Sequence, residues 1–116
     1  MELNHEIKEG ILVLYLKGHL LGAQANQAVM SLVLQNMEAG NKNVLFNLEG
    51  VNYVDSAGLG MLLSSSSKIK AAGGKLVICS LSEQVVKLLK TTKVESVFRI
   101  SANETSAMEF FKAAMQ

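Results

Sequence analysis

Three short, almost continuously apolar runs constrain this chain more than any other feature. Ile11-Leu12-Val13-Leu14-Tyr15-Leu16, Val44-Leu45-Phe46-Asn47-Leu48 and Leu76-Val77-Ile78-Cys79 lack the polar–apolar alternation of a half-exposed strand. A strand with one face in water alternates, whereas a strand covered on both faces does not. The runs therefore predict inner strands of a sheet that carries helices on its faces. The segments between them have helical spacing. Residues 26–39 place Val29, Leu32, Val33 and Met37 on one side before Gly40 stops the pattern. Residues 57–72 do the same with Leu59, Leu62, Leu63 and Ile69 before Gly73-Gly74. A short helix is predicted over 82–90, with Val85, Leu88 and Leu89 inward, and a last strand at Val97-Phe98-Arg99-Ile100. A terminal helix from about Asn103 carries Ala107, Met108, Phe111 and Met115 on one side. At the other end, Leu3-Asn4-His5-Glu6-Ile7 alternates weakly and joins the first apolar run through Glu9-Gly10, which predicts a hairpin.

The predicted order is β-β-α-β-α-β-α-β-α. Strands that alternate with helices pair in parallel through right-handed crossovers. The fold class is thus α/β, a mostly parallel sheet with an antiparallel N-terminal edge strand and four helices. A length of 116 residues suits one domain over positions 1–116. Surface scaling leaves about 6,200 Å² exposed, roughly one third of the unfolded surface, which is enough burial for a true core.

Charge narrows the function. Eleven basic and ten acidic side chains leave a net +1, and Arg99 is the one arginine. No basic face emerges, so a nucleic-acid partner is not expected. The single Cys79 forbids an internal disulfide and suits a reducing, cytoplasmic setting. Residues 18–37 carry no formal charge over a membrane-span length, but Gln24, Asn26, Gln27, Ser31, Gln35 and Asn36 are too polar for lipid. Met1-Glu2-Leu3-Asn4 shows no secretory pattern. A soluble protein without membrane insertion is expected.

The chemistry concentrates in Asn52-Tyr53-Val54-Asp55-Ser56-Ala57-Gly58-Leu59-Gly60-Met61-Leu62, which holds the only aspartate of the chain. The segment leads from a strand into a helix at the carboxyl edge of the parallel sheet, where open α/β sheets meet ligands and partners. A helix start offers unpaired N–H groups and about half a positive charge, so it tolerates an anion. Asp55 or Ser56 can cap the helix, and a phosphate on Ser56 would reach the same N–H groups. Gly58 and Gly60 cost roughly 1 kcal/mol each inside a helix. A closely approaching partner would offset that cost, as would close helix–sheet packing. Spacing alone does not separate a partner site from a simple cap.

Asp55-Ser56-Ala57-Gly58-Leu59-Gly60 resembles the Asp-Ser-x-Gly-Leu-Gly signature of the STAS domain family, whose best-known soluble members are bacterial anti-sigma factor antagonists. The resemblance extends to Gly18-His19-Leu20, to the strand and turn Val44–Val51 and to Ala72-Gly73-Gly74-Lys75-Leu76, and so covers nearly the whole chain. It implies that Ser56 is phosphorylated by an anti-sigma factor that is also a serine kinase. The unphosphorylated form would bind that partner and free a sigma factor, and a PP2C-type phosphatase would remove the phosphate. The implied partner surface comprises Asp55, Ser56, Gly58, Gly60, Met61 and Ser64. Phosphorylation would add about −1.5 to −2 charges beside Asp55 and disrupt a tight interface. One departure concerns the rim of this site: Leu21 stands where many antagonists carry an acidic residue. Other STAS proteins are stressosome scaffolds or subunits of lipid- and anion-transport complexes, so a constitutive scaffold whose Ser56 is only a helix cap is the alternative.

Other chemistries fit less well. A serine hydrolase needs a histidine beside its nucleophile, but His5 and His19 both lie in or just after the leading hairpin. Gly58-Leu59-Gly60 lacks a third glycine at dinucleotide spacing, and no P-loop occurs. One cysteine and two histidines do not make a metal cage. No catalysis, cofactor or metal is expected. Ser64-Ser65-Ser66-Ser67 reads as mid-helix serines that bond to the preceding turn or face solvent. Met61 is expected to project away from Leu59, Leu62 and Leu63, exposed on the side of Ser64 and Lys68. There it reads equally as a protein contact or as a scattered apolar surface residue.

Overall fold

Each apolar run becomes an inner strand of a five-stranded sheet. The computed structural model describes residues 2–20 and 23–114, with side chains over 2–19 and 26–114. The elements are β1 (Glu2–Lys8), β2 (Ile11–Leu20), α1 (Ala23–Glu38), β3 (Val44–Val54), α2 (Ser56–Ala71), β4 (Leu76–Cys79), α3 (Glu83–Thr91), β5 (Arg99–Ser101) and α4 (Glu104–Ala114). The strands lie in sequence order, with β1 antiparallel to β2 and every later pair parallel. The α/β class, the element order and the antiparallel edge strand thus match the sequence reading.

The strand order dictates where the helices go. Three crossovers, through α1, α2 and α3, all step in the same direction across the sheet. Right-handed crossovers that step one way deposit their helices on one face. On that face Val29, Val33, Leu62, Ile69, Val85 and Leu89 pack against Leu12, Leu14, Leu16, Phe46 and Ile78. α4 follows the last strand and covers the other face, where Ala107 and Phe111 meet Ile11, Val13, Leu45, Val77 and Cys79. Successive strand residues point to opposite faces. Two cores therefore require unbroken apolar runs. The exposed surface is 6223 Å², which agrees with the scaling expectation. Cys79 is a buried core residue, and burial pushes its thiol upward.

Three local readings are revised. β3 does not stop at Leu48 but continues through the supposed turn Glu49-Gly50 to Val54. Gly50 marks a close approach of strands: a Cβ there would stand 2.5 Å from Lys17 Cγ and 3.1 Å from Lys17 Cα. The register between β2 and β3 shifts at Tyr15/Lys17 and again at Gly18/His19, and Gly18 takes a φ of 93°. Glycines in a strand pattern here signal bulges rather than a turn. The last strand starts at Arg99, after a 3₁₀ turn at Glu95–Val97. Finally, the serine run is split: Ser64 and Ser67 are exposed, while Ser65 and Ser66 are buried. Ser65 Oγ donates to Met30 Sδ at 3.0 Å and to Met61 Sδ at 3.7 Å, so this serine packs between helices instead of facing water. Leu21 and Met115 lie outside the described residues.

Candidate partner-binding site

Only Asp55 separates the end of β3 from the start of α2. Its backbone is extended, with φ −88° and ψ −177°, and its carboxylate accepts the Gly58 N–H at 2.8 Å. Its carbonyl accepts the Leu59 N–H at 2.9 Å, closing the first turn. Asp55 is therefore the helix cap, and the choice that spacing left open falls on it. Ser56 is the first helical residue. It is exposed, and among the described residues its hydroxyl makes no hydrogen bond. The cap thus leaves the serine free of a structural task.

The other residues of the expected surface divide. Gly60 and Ser64 are exposed on α2. A Cβ at Gly60 would meet no atom within 4 Å, so packing within the molecule gives no reason for glycine there. Gly58 is buried and acts through its N–H, held by Asp55. Met61 corrects the expectation of an outward side chain: it is only 4% exposed and belongs to the core. Apolar spacing traced the sheet-facing stripe of α2, yet α2 also packs sideways against α1. Met61 and Ser65, one turn apart, form that second stripe and meet Met30. The four-residue spacing of Met61 and Ser65 was the available signal.

Two concavities flank the start of α2. A shallow groove of about 250 Å³ runs between α1 and α2, with Asn26, Met30, Ala57, Gly60, Met61 and Ser64 among its lining residues. A larger cavity of about 590 Å³ lies between the end of β3 and α3, with Val54, Val85 and Leu88 at its base and Lys87 among its lining residues. There the His19 and Tyr53 rings stand 6.0 Å apart at 50°, and Tyr53 is 55% exposed. The sequence names both residues, Tyr53 within Asn52–Leu62 and His19 after Gly18, but does not bring them together. An aromatic two positions before Asp55 was the only hint, and it was hidden by ending β3 at Leu48.

A separate polar cluster ties β1, β2 and β3 to α4. Lys8 Nζ lies 2.7 Å from Glu104 Oε2 and 3.0 Å from Glu6 Oε1. The Tyr15 hydroxyl donates to Glu6 at 2.8 Å, and Asn47 Nδ2 donates to Glu104 Oε1 at 3.3 Å. Burial pushes the Glu104 carboxyl up, but hydrogen bonds from Lys8, Tyr15 and Asn47 outweigh it and hold it below its ordinary range. Tyr15 and then Lys8 lower Glu6 likewise. Burial raises the Tyr15 hydroxyl to about 12, and the bond to Glu104 raises the Lys8 ammonium. Among the described residues no three His, Cys, Asp or Glu side chains group as metal ligands, and no helix is long and apolar enough to cross a membrane.

The fold and the capped serine can now be set beside known proteins. A BtrV protein of Bordetella bronchiseptica that carries an anti-sigma factor antagonist name is 28% identical over 115 residues, 99% of this chain and 98% of the relative. The anti-sigma F factor antagonist of Paenibacillus polymyxa is 23% identical over 108 residues, 93% of this chain and 92% of the relative. Bacillus SpoIIAA in its phosphorylated form shares the fold, with a TM-score of 0.75 and 18% identity over 95% of this chain and 99% of that one. The STAS domain model matches residues 2–107, and the chain belongs to the STAS domain family.

Proposed function

We propose that this chain is an anti-sigma factor antagonist, a protein-binding module switched by phosphorylation of Ser56. In the unphosphorylated state it binds an anti-sigma factor that is also a serine kinase, and the sigma factor is released. The kinase transfers the γ-phosphoryl group of ATP to Ser56 Oγ, giving ADP and a proton, and the modified module leaves the complex. A PP2C-type phosphatase resets it. The observation that carries this reading is the division of labour at the start of α2: Asp55 caps the helix, so the Ser56 hydroxyl is exposed without a hydrogen bond among the described residues. The antagonist names of full-length relatives support the same role.

Asp55, Ser56, Gly60 and Ser64 form the contact surface in this reading. Met61 and Gly58 act from below, by holding α2 in place. A phosphate on Ser56 sits at the positive end of α2, so the domain keeps its shape while the surface gains charge beside Asp55. The module performs no catalysis of its own.

The test uses a purified anti-sigma factor of the serine-kinase type as the partner. Intact-mass measurement after incubation with that kinase and ATP should show one added phosphate, absent from Ser56→Ala. A phosphate that maps to Ser64 or Ser67 would overturn the assignment.

A further inference from the structure

We propose that Asn26 reads the main chain of the protein partner from the groove between α1 and α2, and that its buried carboxamide, unpaired among the described residues, serves this contact. The proposal rests on the antagonist reading above. Asn26 is 6% exposed, and both Nδ2 and Oδ1 are buried without a hydrogen-bond partner among the described residues. Buried polar groups are nearly always paired, because an amide taken from water without compensation destabilises the fold. Leucine has nearly the same shape and would carry no such penalty. Among the described residues nothing accounts for an asparagine at this position, and a partner would.

The groove supplies one. Asn26 lines it together with Met30 of α1 and Ala57, Gly60 and Ser64 of α2. Ala57 is the residue after Ser56, so a partner seated on Ser56 continues directly over the groove. Gly60 leaves its centre open, with no atom within 4 Å of a Cβ built there. In the bound state the carboxamide would turn about the Asn26 Cα–Cβ bond into this space. One donor and one acceptor on a single planar group match the N–H and C=O that one residue of an extended segment shows to the same side. The occupant is thus an extended stretch of the partner's main chain. Binding relieves the unpaired burial, and the relief adds to affinity.

The decisive substitution is Asn26→Leu, with Asn26→Asp as a second variant that keeps an acceptor but loses the donor. Thermal unfolding of each chain is combined with calorimetric titration against the same purified kinase. Asn26→Leu should raise the thermal midpoint by about 4 °C, the response to removing one unpaired buried group in a domain of this size. It should also weaken kinase binding about tenfold or more, the effect of one lost bidentate contact. Asn26→Asp should weaken binding without that rise. A midpoint that falls in Asn26→Leu, or an affinity equal to the wild type, would overturn the proposal while leaving the antagonist reading intact if Ser56→Asp still abolishes binding. A kinase that ignores the wild-type chain would remove both.

Discussion

α2 and α4 are capped in the same way but differ in the task of the first helical residue. In each, an acidic or amide side chain caps the helix: Asp55 accepts the Gly58 N–H, and Asn103 accepts the Ser106 N–H at 2.9 Å. The next residue is the first of the helix. At α4 it is Glu104, a permanent anion matched by Lys8 and Asn47. At α2 it is Ser56, neutral and exposed. The comparison teaches two things. An anion at the first helical position is compatible with this fold, as the helix dipole leads one to expect. Further, Glu104 is locked into a network that anchors a helix to the sheet, whereas Ser56 is left out of every such bond among the described residues. A group that anchors must be paired, and a group that switches must be available.

The strongest test makes the start of α2 resemble that of α4. Ser56→Glu should leave the thermal midpoint close to that of the wild type, since the helix start accepts the charge. The same substitution should cost the kinase complex about 2–5 kcal/mol, because it buries an unmatched anion at the contact. Titration calorimetry against Ser56→Ala as a neutral control separates the two quantities. Ser56→Ala should keep both fold and affinity, because Asp55 and not Ser56 is the cap. Equal affinities for the two variants would erase the distinction between the helix starts.

A smaller effect is expected at Gly60. Gly60→Ala places a methyl group in open space and raises helix propensity, so the free domain should gain about 1 kcal/mol in denaturant unfolding. Binding should weaken if the partner's backbone approaches this point. A stabilised domain with unchanged affinity would remove Gly60 from the contact surface.

The smallest effect belongs to the α4 end. Glu104 sits below its ordinary carboxyl value in the folded state. A depressed carboxyl contributes stability that is complete above the unfolded value, about 4.3, and is lost as pH falls through the lower folded value. Glu104→Gln should therefore flatten the acid limb of a stability–pH profile below about pH 4.3 and leave the profile above pH 6 parallel to the wild type. Because the Lys8–Glu104 pair is partly exposed, 0.5 M salt should shrink the difference. An acid limb unchanged in the variant would mean that Glu104 does not anchor α4 through its charge.

Much of this is legible in the sequence. The unbroken runs at Ile11–Leu16, Val44–Leu48 and Leu76–Cys79 specify inner strands, because only strands covered twice need no polar face. Strand–helix alternation then fixes parallel pairing, and the crossovers fix which helices share a face. The Asp55 cap was legible in the residue series Asp55–Gly60 for the same reason: cap, hydroxyl and glycine lie within one turn, so their relation is encoded locally. The rest depended on contacts between elements distant in sequence. Met61 is buried because α1 lies beside α2, and the main apolar stripe of α2 does not report that neighbour. Glu49-Gly50 looks like a turn until Lys17 of β2 is seen pressed against it. Asn26 reads as one of five amides in residues 18–37 until packing takes both its polar atoms from water. Hydrophobic pattern is a property of each segment and survives without the fold. Burial of a polar atom, by contrast, depends on what surrounds it, and that exists only once the chain has closed on itself.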